Sequence, residues 1–444
     1  MKLRRDREGR DAALRREIAQ QQQSNLVLLP PRQPSAGSEF IARLEEYIQP
    51  LRVHSVDASN LTLDAVGRAR AVLSIFHDKT TLDRVLDLVR TCRAERADGT
   101  PTLIIAIQLR QLVEMGEWLQ QHARSGDLEG IRLILARDEH EVLTKVADRL
   151  GPVSEPNFLA MPVNTEVDDS PLKYYFCISP QIRSLVRTVR ELAENNIYRV
   201  YVLGGPGSGK TTFAYYYYLC RNKGRFVSVN LTAESTGDKA AMKSLICGHV
   251  PGALPESGGR EGALSFSGEG VCFLDESHGV SGVVMQVLME VLDNGQYLPL
   301  GATAKRPLQC AVLFASNRSW EHLRSLINLD EHARLGATLV GVSDLREREE
   351  DLIAVLATTM SKFKASCTTW TAPIGLHEDA WREILACPWH GNVRALIRVV
   401  ETACVQNARF GESNIIDGDA VRHGIDLWEP TEHESLKIYA SANF

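Results

Sequence analysis

Tyr201-Val-Leu-Gly-Gly-Pro-Gly-Ser-Gly-Lys-Thr-Thr212 decides how this chain is read. The apolar run Tyr198-Arg-Val-Tyr-Val-Leu203 stops at glycines and reopens as Phe213-Ala-Tyr-Tyr-Tyr-Tyr-Leu219, which is the order strand, loop, helix. Between them, Gly204-x4-Gly209-Lys210-Thr211 has the spacing of a P-loop. Gly204, Gly205, Pro206, Gly207, Ser208 and Gly209 let the backbone curl until successive N–H groups face inward. The N-terminus of the following helix, opened by Thr212, adds its dipole, so the loop is expected to cradle phosphates. In that arrangement Lys210 would reach the β- and γ-phosphates and the Thr211 hydroxyl would hold Mg²⁺.

The chain around this loop has 444 residues, 44% hydrophobic and 24% charged, as expected of ordinary globular protein with two to four domains. A net charge of -6 gives no global basic field for nucleic acid or acidic lipid. Nine cysteines lack metal-binding spacing and point to a reducing compartment. No apolar run reaches membrane-spanning length and the Arg-rich start lacks a signal-peptide apolar core, so a cytoplasmic protein with no membrane partner is expected.

Residues 1–24 read as a polar Arg/Gln-rich arm in which carboxylates interleave with arginines. From 25 to 150, strand and helix alternate five times, with strands at Asn25–Leu29, Leu51–Ser55, Ala71–Phe76, Thr102–Ile107 and Ile131–Leu135. Length and order resemble a response-regulator receiver, a doubly wound (βα)5 fold. The receiver's chemistry is absent. Pro30-Pro31 stands where the metal-binding acids belong, Phe76 stands at or near the phosphoacceptor, and Ala136-Arg137 replaces the lysine. Asp78 then reads as a loop acid, and the unit as a pseudo-receiver that docks or regulates without being phosphorylated. Residues 151–172, with four prolines, read as a linker.

Downstream of the P-loop, Arg225–Asn230 is a second strand, and Gly270-Val-Cys-Phe-Leu-Asp-Glu276 delivers paired carboxylates. Asp275 would join the Mg²⁺ shell and Glu276 would polarise a water, as in a Walker B element. Ala311–Ala315 leads to Asn317, whose amide would sense phosphate or orient that water. Of the four tyrosines 215–218, adjacent positions on a helix, at least two must be core.

This constellation resembles the AAA+ family, and within it the central domain of sigma-54-dependent activators, the NtrC-like group. Phe226–Leu231, Ser244–Leu254, Phe273–Glu276, Val287–Tyr297, Leu345–Asp351 and Pro388–Arg394 carry the likeness. It implies an α/β nucleotide-binding domain over 173–345 and a helical lid over 346–424, using ATP and Mg²⁺. It also implies a switch role for Asn230, a sensor role for Arg394 and a ring homo-oligomer, a hexamer in the family. Arg334 falls on one arginine finger that reaches a neighbour's nucleotide. The other finger position holds Asn328, with Arg324 as an alternative, so hydrolysis is expected to be slow or oligomer-dependent.

The family's partner-contact loop reads here Gly252-Ala253-Leu254-Pro255-Glu256-Ser257, without an aromatic anchor, which should weaken sigma-54 engagement. An acidic tail over 425–444 is too short for a helix-turn-helix, so direct DNA binding is not expected. Three functions stay open. The chain is an ATP-hydrolysing transcriptional regulator touching RNA polymerase, a sigma factor or another regulator. Otherwise it is an ATP-driven remodeller of a different protein, or a nucleotide-gated scaffold that does not hydrolyse.

Overall fold

Strands buried on both faces build the first sheet. The computed structural model describes residues 25–31, 37–95, 101–123, 128, 130–150, 160–164, 172–231, 239–254, 258–277, 282–318, 338–411 and 413–430. The arm 1–24, most of the linker, Pro255 to Ser257, Arg324, Asn328, Arg334 and the tail from 431 lie outside the described residues. Strands β1 (Asn25–Leu29), β2 (Arg52–Ser55), β3 (Ala71–Ile75), β4 (Thr102–Gln108) and β5 (Ile131–Ala136) run parallel in the order β2-β1-β3-β4-β5. In β1, Leu26 and Leu28 join one core layer while Val27 and Leu29 face the other, as a period of two requires.

Helices α1 (Gly37–Tyr47), α2 (Leu63–Gly67), α3 (Lys79–Glu95), α4 (Leu112–Ala123) and α5 (Glu139–Arg149) cover the two faces, giving the doubly wound unit. Between β2 and β3 the chain forms the short α2, capped by Thr62. Phe76 takes a left-handed φ of 56° at the position of the missing phosphoacceptor. Asp78 accepts the Thr81 N–H at 2.9 Å, so this loop acid caps the turn that starts α3.

Inside the expected linker, β6 (Ala160–Pro162) pairs antiparallel with β7 (Tyr174–Phe176), and Met161 is fully buried. Helix α6 (Pro180–Glu194) then leads into the second sheet. Its strands are β8 (Arg199–Leu203), β9 (Phe226–Asn230), β12 (Val271–Asp275), β15 (Ala311–Ser316) and β16 (Thr338–Gly341). Their order is β16-β8-β15-β12-β9, all parallel, so the P-loop strand lies inside the sheet between β15 and β16. Helices α7 (Lys210–Arg221), α8 (Lys239–Cys247), α9 (Ala263–Ser267) and α10 (Gly282–Asn294) flank it. Two short hairpins, β10 (Gly248–His249) with β11 (Arg260–Glu261) and β13 (Gln296–Tyr297) with β14 (Arg306–Pro307), project from this layer. Of the tyrosine run, Tyr216 and Tyr217 are core residues, and the Tyr217 hydroxyl donates to the Ile197 carbonyl at 2.6 Å.

The lid comprises α11 (Glu349–Ser366), α12 (Glu378–Ala386), α13 (Asn392–Phe410) and α14 (Gly418–Trp428), with a short parallel pair, β17 (Gly375–Leu376) and β18 (Ile415–Ile416). The last helix runs four residues past the end expected for the lid. Glu429 then accepts the backbone N–H groups of His390 and Gly391. Helix α11 is buried without interruption from Glu350 to Ser361. A helix apolar or buried all round has neighbours on every side. Here the lid helices cover one side and α4 of the pseudo-receiver covers another. One hydrophobic core therefore continues from α4 through β7, α6 and α7 into the lid.

Candidate functional site

The P-loop bends where only glycine is at ease. Gly207 and Gly209 have φ of 68° and 101°, in the left-handed region, and Gly209 is the N-cap of α7. The Lys210 ammonium is folded back onto the loop and donates to the Gly204 and Gly205 carbonyls, both at 3.1 Å. Burial pushes its pKa down, Arg394 adds to that, and Asp275 and Glu276 oppose it. A cation held among backbone carbonyls in this way is poised for a stronger anionic partner.

Paired parallel strands bring the acids to the same rim. Asp275 ends β12 in register with Asn230 at the end of β9, and Leu231 N–H donates to the Asp275 carbonyl at 3.1 Å. Glu276 follows at a φ of 52°, unusual for a residue with a Cβ, and its N–H is held by Asp275 Oδ1 at 2.9 Å. Burial and the neighbouring Asp275 charge raise the Glu276 pKa, while Lys210, Arg394 and Arg318 pull it down. Those five charged groups thus act on one another at one rim. On the adjoining strand, Ser316 pairs with Leu203 and its carbonyl accepts Gly204 N–H at 3.2 Å, which brings Asn317 beside the loop.

From the other side the lid leans on the loop. A Cβ at Gly207 would stand 2.4 Å from the Gly391 carbonyl and 2.8 Å from Arg394 Cβ, so Arg394, itself exposed, starts α13 against the P-loop. Three residues that sequence reasoning passed over complete the seat. Asn392, buried and at a φ of 51°, donates to the Pro206 carbonyl at 3.2 Å and accepts Leu345 N–H at 2.8 Å. Tyr175 donates its hydroxyl to the Ser208 carbonyl at 2.6 Å, and Arg348 donates to that hydroxyl at 2.7 Å. Burial pushes the Tyr175 phenol up to about 12, which keeps it a donor at neutral pH. Asn392 was visible within Gly391-Asn-Val, but its left-handed turn was not. Nothing in Tyr174-Tyr-Phe176 announced a P-loop contact.

The residues present fit a magnesium nucleotide. The loop is curled as phosphates require, and two polar atoms at its rim, Ser208 Oγ and Asn317 Oδ1, are buried with no hydrogen-bond partner. Thr211 and Asp275 would hold the metal, and the curled loop with Lys210 would hold the phosphates. Of the expected partner-contact segment, Gly252 to Leu254 follow β10, and Pro255 to Ser257 lie outside the described residues. Gly252, at a φ of 79°, is exposed, Ala253 and Leu254 are half-buried, and Val250 N–H donates to the Leu300 carbonyl at 3.0 Å. Beneath it, His249 is held between Ser244 Oγ at 2.7 Å and the Gly258 carbonyl at 2.7 Å.

A P-loop on a five-stranded parallel sheet in this order, capped by a helical lid, defines the AAA+ P-loop class. Within it, residues 176–334 match the family described as the sigma-54 interaction domain. Among curated relatives, the chain is 26% identical over 300 residues to the Nif-specific regulatory protein of Rhodobacter capsulatus, covering 66% of this chain and 48% of that protein. It is also 26% identical over 233 residues to the alginate biosynthesis transcriptional regulatory protein AlgB of Pseudomonas putida, covering 51% and 50%. The chain thus spans about half the length of the curated relatives it matches. The solved structure of NtrX from Brucella abortus in complex with ADP aligns over 94% of this chain and 89% of that one, at 18% identity and a TM-score of 0.49. Among the described residues no helix is long and apolar enough to cross a membrane.

Proposed function

We infer that this protein binds and hydrolyses MgATP at the P-loop and uses the cycle to act on a protein partner in transcriptional regulation. The observation that carries the reading is the convergence of Lys210, Asp275, Glu276 and Arg394 on one rim, beside buried Asn317 and Ser208 oxygens that lack partners. Lys210 would trade two backbone carbonyls for phosphate oxygens. The Glu276 carboxylate would take a proton from the attacking water, and the Asn317 amide would orient that water. Asn230, level with Asp275 across the β9–β12 pair, would restrain Glu276 between turnovers. Magnesium, held by Thr211 and Asp275, would neutralise charge on the transferred phosphoryl group. The match to the sigma-54 interaction domain supports a homo-oligomer, a hexamer, with Arg334 supplied by the neighbouring copy.

RNA polymerase and its sigma factor are the partners that the domain and its relatives suggest. The segment Gly252 to Ser257, with no aromatic in its sequence, favours a second reading in which it engages a different protein. ATP turnover by the purified protein, compared with Glu276→Gln, tests the main proposal. Turnover in the parent and none in the variant, with ATP bound by both, is expected. Binding without turnover in either would replace hydrolysis with a nucleotide-gated scaffold. Nucleotide-dependent capture of sigma-54 by the intact segment, lost on deleting 252–257, would decide against the second reading.

A further inference from the structure

We propose that the first turn of α11 is a two-sided strut through which docking of the pseudo-receiver positions the P-loop, with Tyr175 and Arg348 as its positioning residues. The proposal rests on the nucleotide-site reading above and adds a regulatory input to it.

On the pseudo-receiver side the contact is buried and specific. Arg132 on β5 and Glu350 are only 4% and 2% exposed, and Arg132 Nε lies 2.9 and 3.0 Å from the two carboxylate oxygens. Leu133 N–H donates to the same carboxylate at 2.9 Å. Glu349, the preceding residue, meets Arg149 at 2.9 Å and Lys145 at 3.1 Å. Beside them, α4 and α11 touch backbone to backbone, because a Cβ at Gly116 would lie 2.0 Å from the Ala357 carbonyl oxygen. Gln120 also donates to the Thr358 carbonyl at 3.1 Å.

On the nucleotide side the same turn holds the strand that supports the loop. Asp351 Oδ1 accepts the N–H groups of Ile178 and Ser179 at 2.6 and 3.1 Å. Arg348, fully buried, lies 3.7 Å from Asp351 Oδ2 and donates to the Tyr175 hydroxyl, which donates in turn to the Ser208 carbonyl. The Tyr175 ring fills the space a Cβ at Gly209 would need, at 2.6 Å. Four consecutive residues, Arg348 to Asp351, therefore grip two bodies at once. A helix turn is rigid, so a shift of the pseudo-receiver displaces Tyr175 and with it the Ser208–Gly209 backbone that would face phosphate. The pseudo-receiver is thereby an extension of the lid, and its input needs no phosphorylation.

The test is a cycle of ATP-analogue binding constants on the full chain. One arm is Tyr175→Phe, which deletes a single hydroxyl. The other is the combined change Arg132→Met and Glu350→Met, which removes the clamp without leaving a buried charge alone. Each arm is expected to weaken nucleotide binding about five-fold, the effect of about one hydrogen bond. The loss should fall in Kd and KM with kcat kept. Combining the arms should weaken binding no further, whereas independent sites multiply their effects. Parent affinity in the clamp variant, or multiplied losses, overturns the strut while the nucleotide site stands. No binding by the parent protein overturns both. If the clamp variant does not fold, Glu350→Gln takes its place under the same criteria.

Discussion

Replacing Gly116 with alanine should destabilise this protein, against the ordinary trend for a helix interior. In an isolated helix the change gains about 1 kcal/mol, because glycine loses more backbone freedom than alanine. Here the added Cβ would stand 2.0 Å from the Ala357 oxygen, 2.5 Å from its carbonyl carbon and 2.8 Å from Ser361 Cβ. Ordinary contact begins near 3.4 Å, so α4 and α11 must part by about 1.4 Å. The obstructing atoms are mostly backbone and cannot turn aside. Overpacking of this kind costs about 1–3 kcal/mol, and a carbonyl obstacle places it at the upper end. After the helix-propensity gain, a net loss of about 1–2 kcal/mol remains. For a unit of 150–250 residues that lowers the melting temperature by about 2–8 °C. Scanning calorimetry of the nucleotide-free protein measures it, with Gly341→Ala as control, since nothing lies within 4 Å of a Cβ there. Hydrogen exchange should rise in 112–123 and 349–366 together. An unchanged or higher melting temperature for Gly116→Ala would refute the close approach, and with it the docking of the pseudo-receiver on the lid.

Gly207→Ala should leave the fold intact and weaken ATP-analogue binding at least about ten-fold in a fluorescence titration, since an interaction difference of about 1.4 kcal/mol already suffices. The new Cβ meets the Gly391 carbonyl at 2.4 Å on a backbone of positive φ. Asn392→Ala should lower the melting temperature and loosen nucleotide binding. It leaves the Leu345 N–H buried without its acceptor, at a cost of about 1–3 kcal/mol, and removes the tie to Pro206. Asp351 governs a pH dependence. Burial raises its pKa from 3.8 to about 6, against the pull of Arg348 and two backbone N–H groups. A raised carboxyl binds more protons folded than unfolded, so its contribution is full below 3.8 and is lost as pH rises through about 6. Thermal melts between pH 5 and 7.5 should show the parent losing more stability than Asp351→Asn, by about 1.4 kcal/mol for the one unit between pH 5 and about 6. An equal loss in both would remove Asp351 as the titrating group.

The family resemblance carried the lid, and the amino-acid sequence by itself carried the first sheet, four strands of the second, the P-loop and the paired acids. Each is written in local terms: a period of two or 3.6, glycines where φ turns positive, acids at a strand end. Helix α4 follows from the alternation of strand and helix, and α11 falls in the lid that the resemblance implies, yet nothing marks them as partners. Gly116 reads as a weak point until Ala357 is seen against it, and Arg132 reads as a surface arginine in an apolar strand until Glu350 covers it. Tyr175, Arg348 and Asn392 likewise carry no motif pointing to the P-loop, because their roles come from hydroxyl, guanidinium and amide groups meeting residues far along the chain. Local pattern encodes what a segment does with its own backbone. Which two faces meet is set by shape and charge complementarity between distant segments, and only the folded chain brings these together.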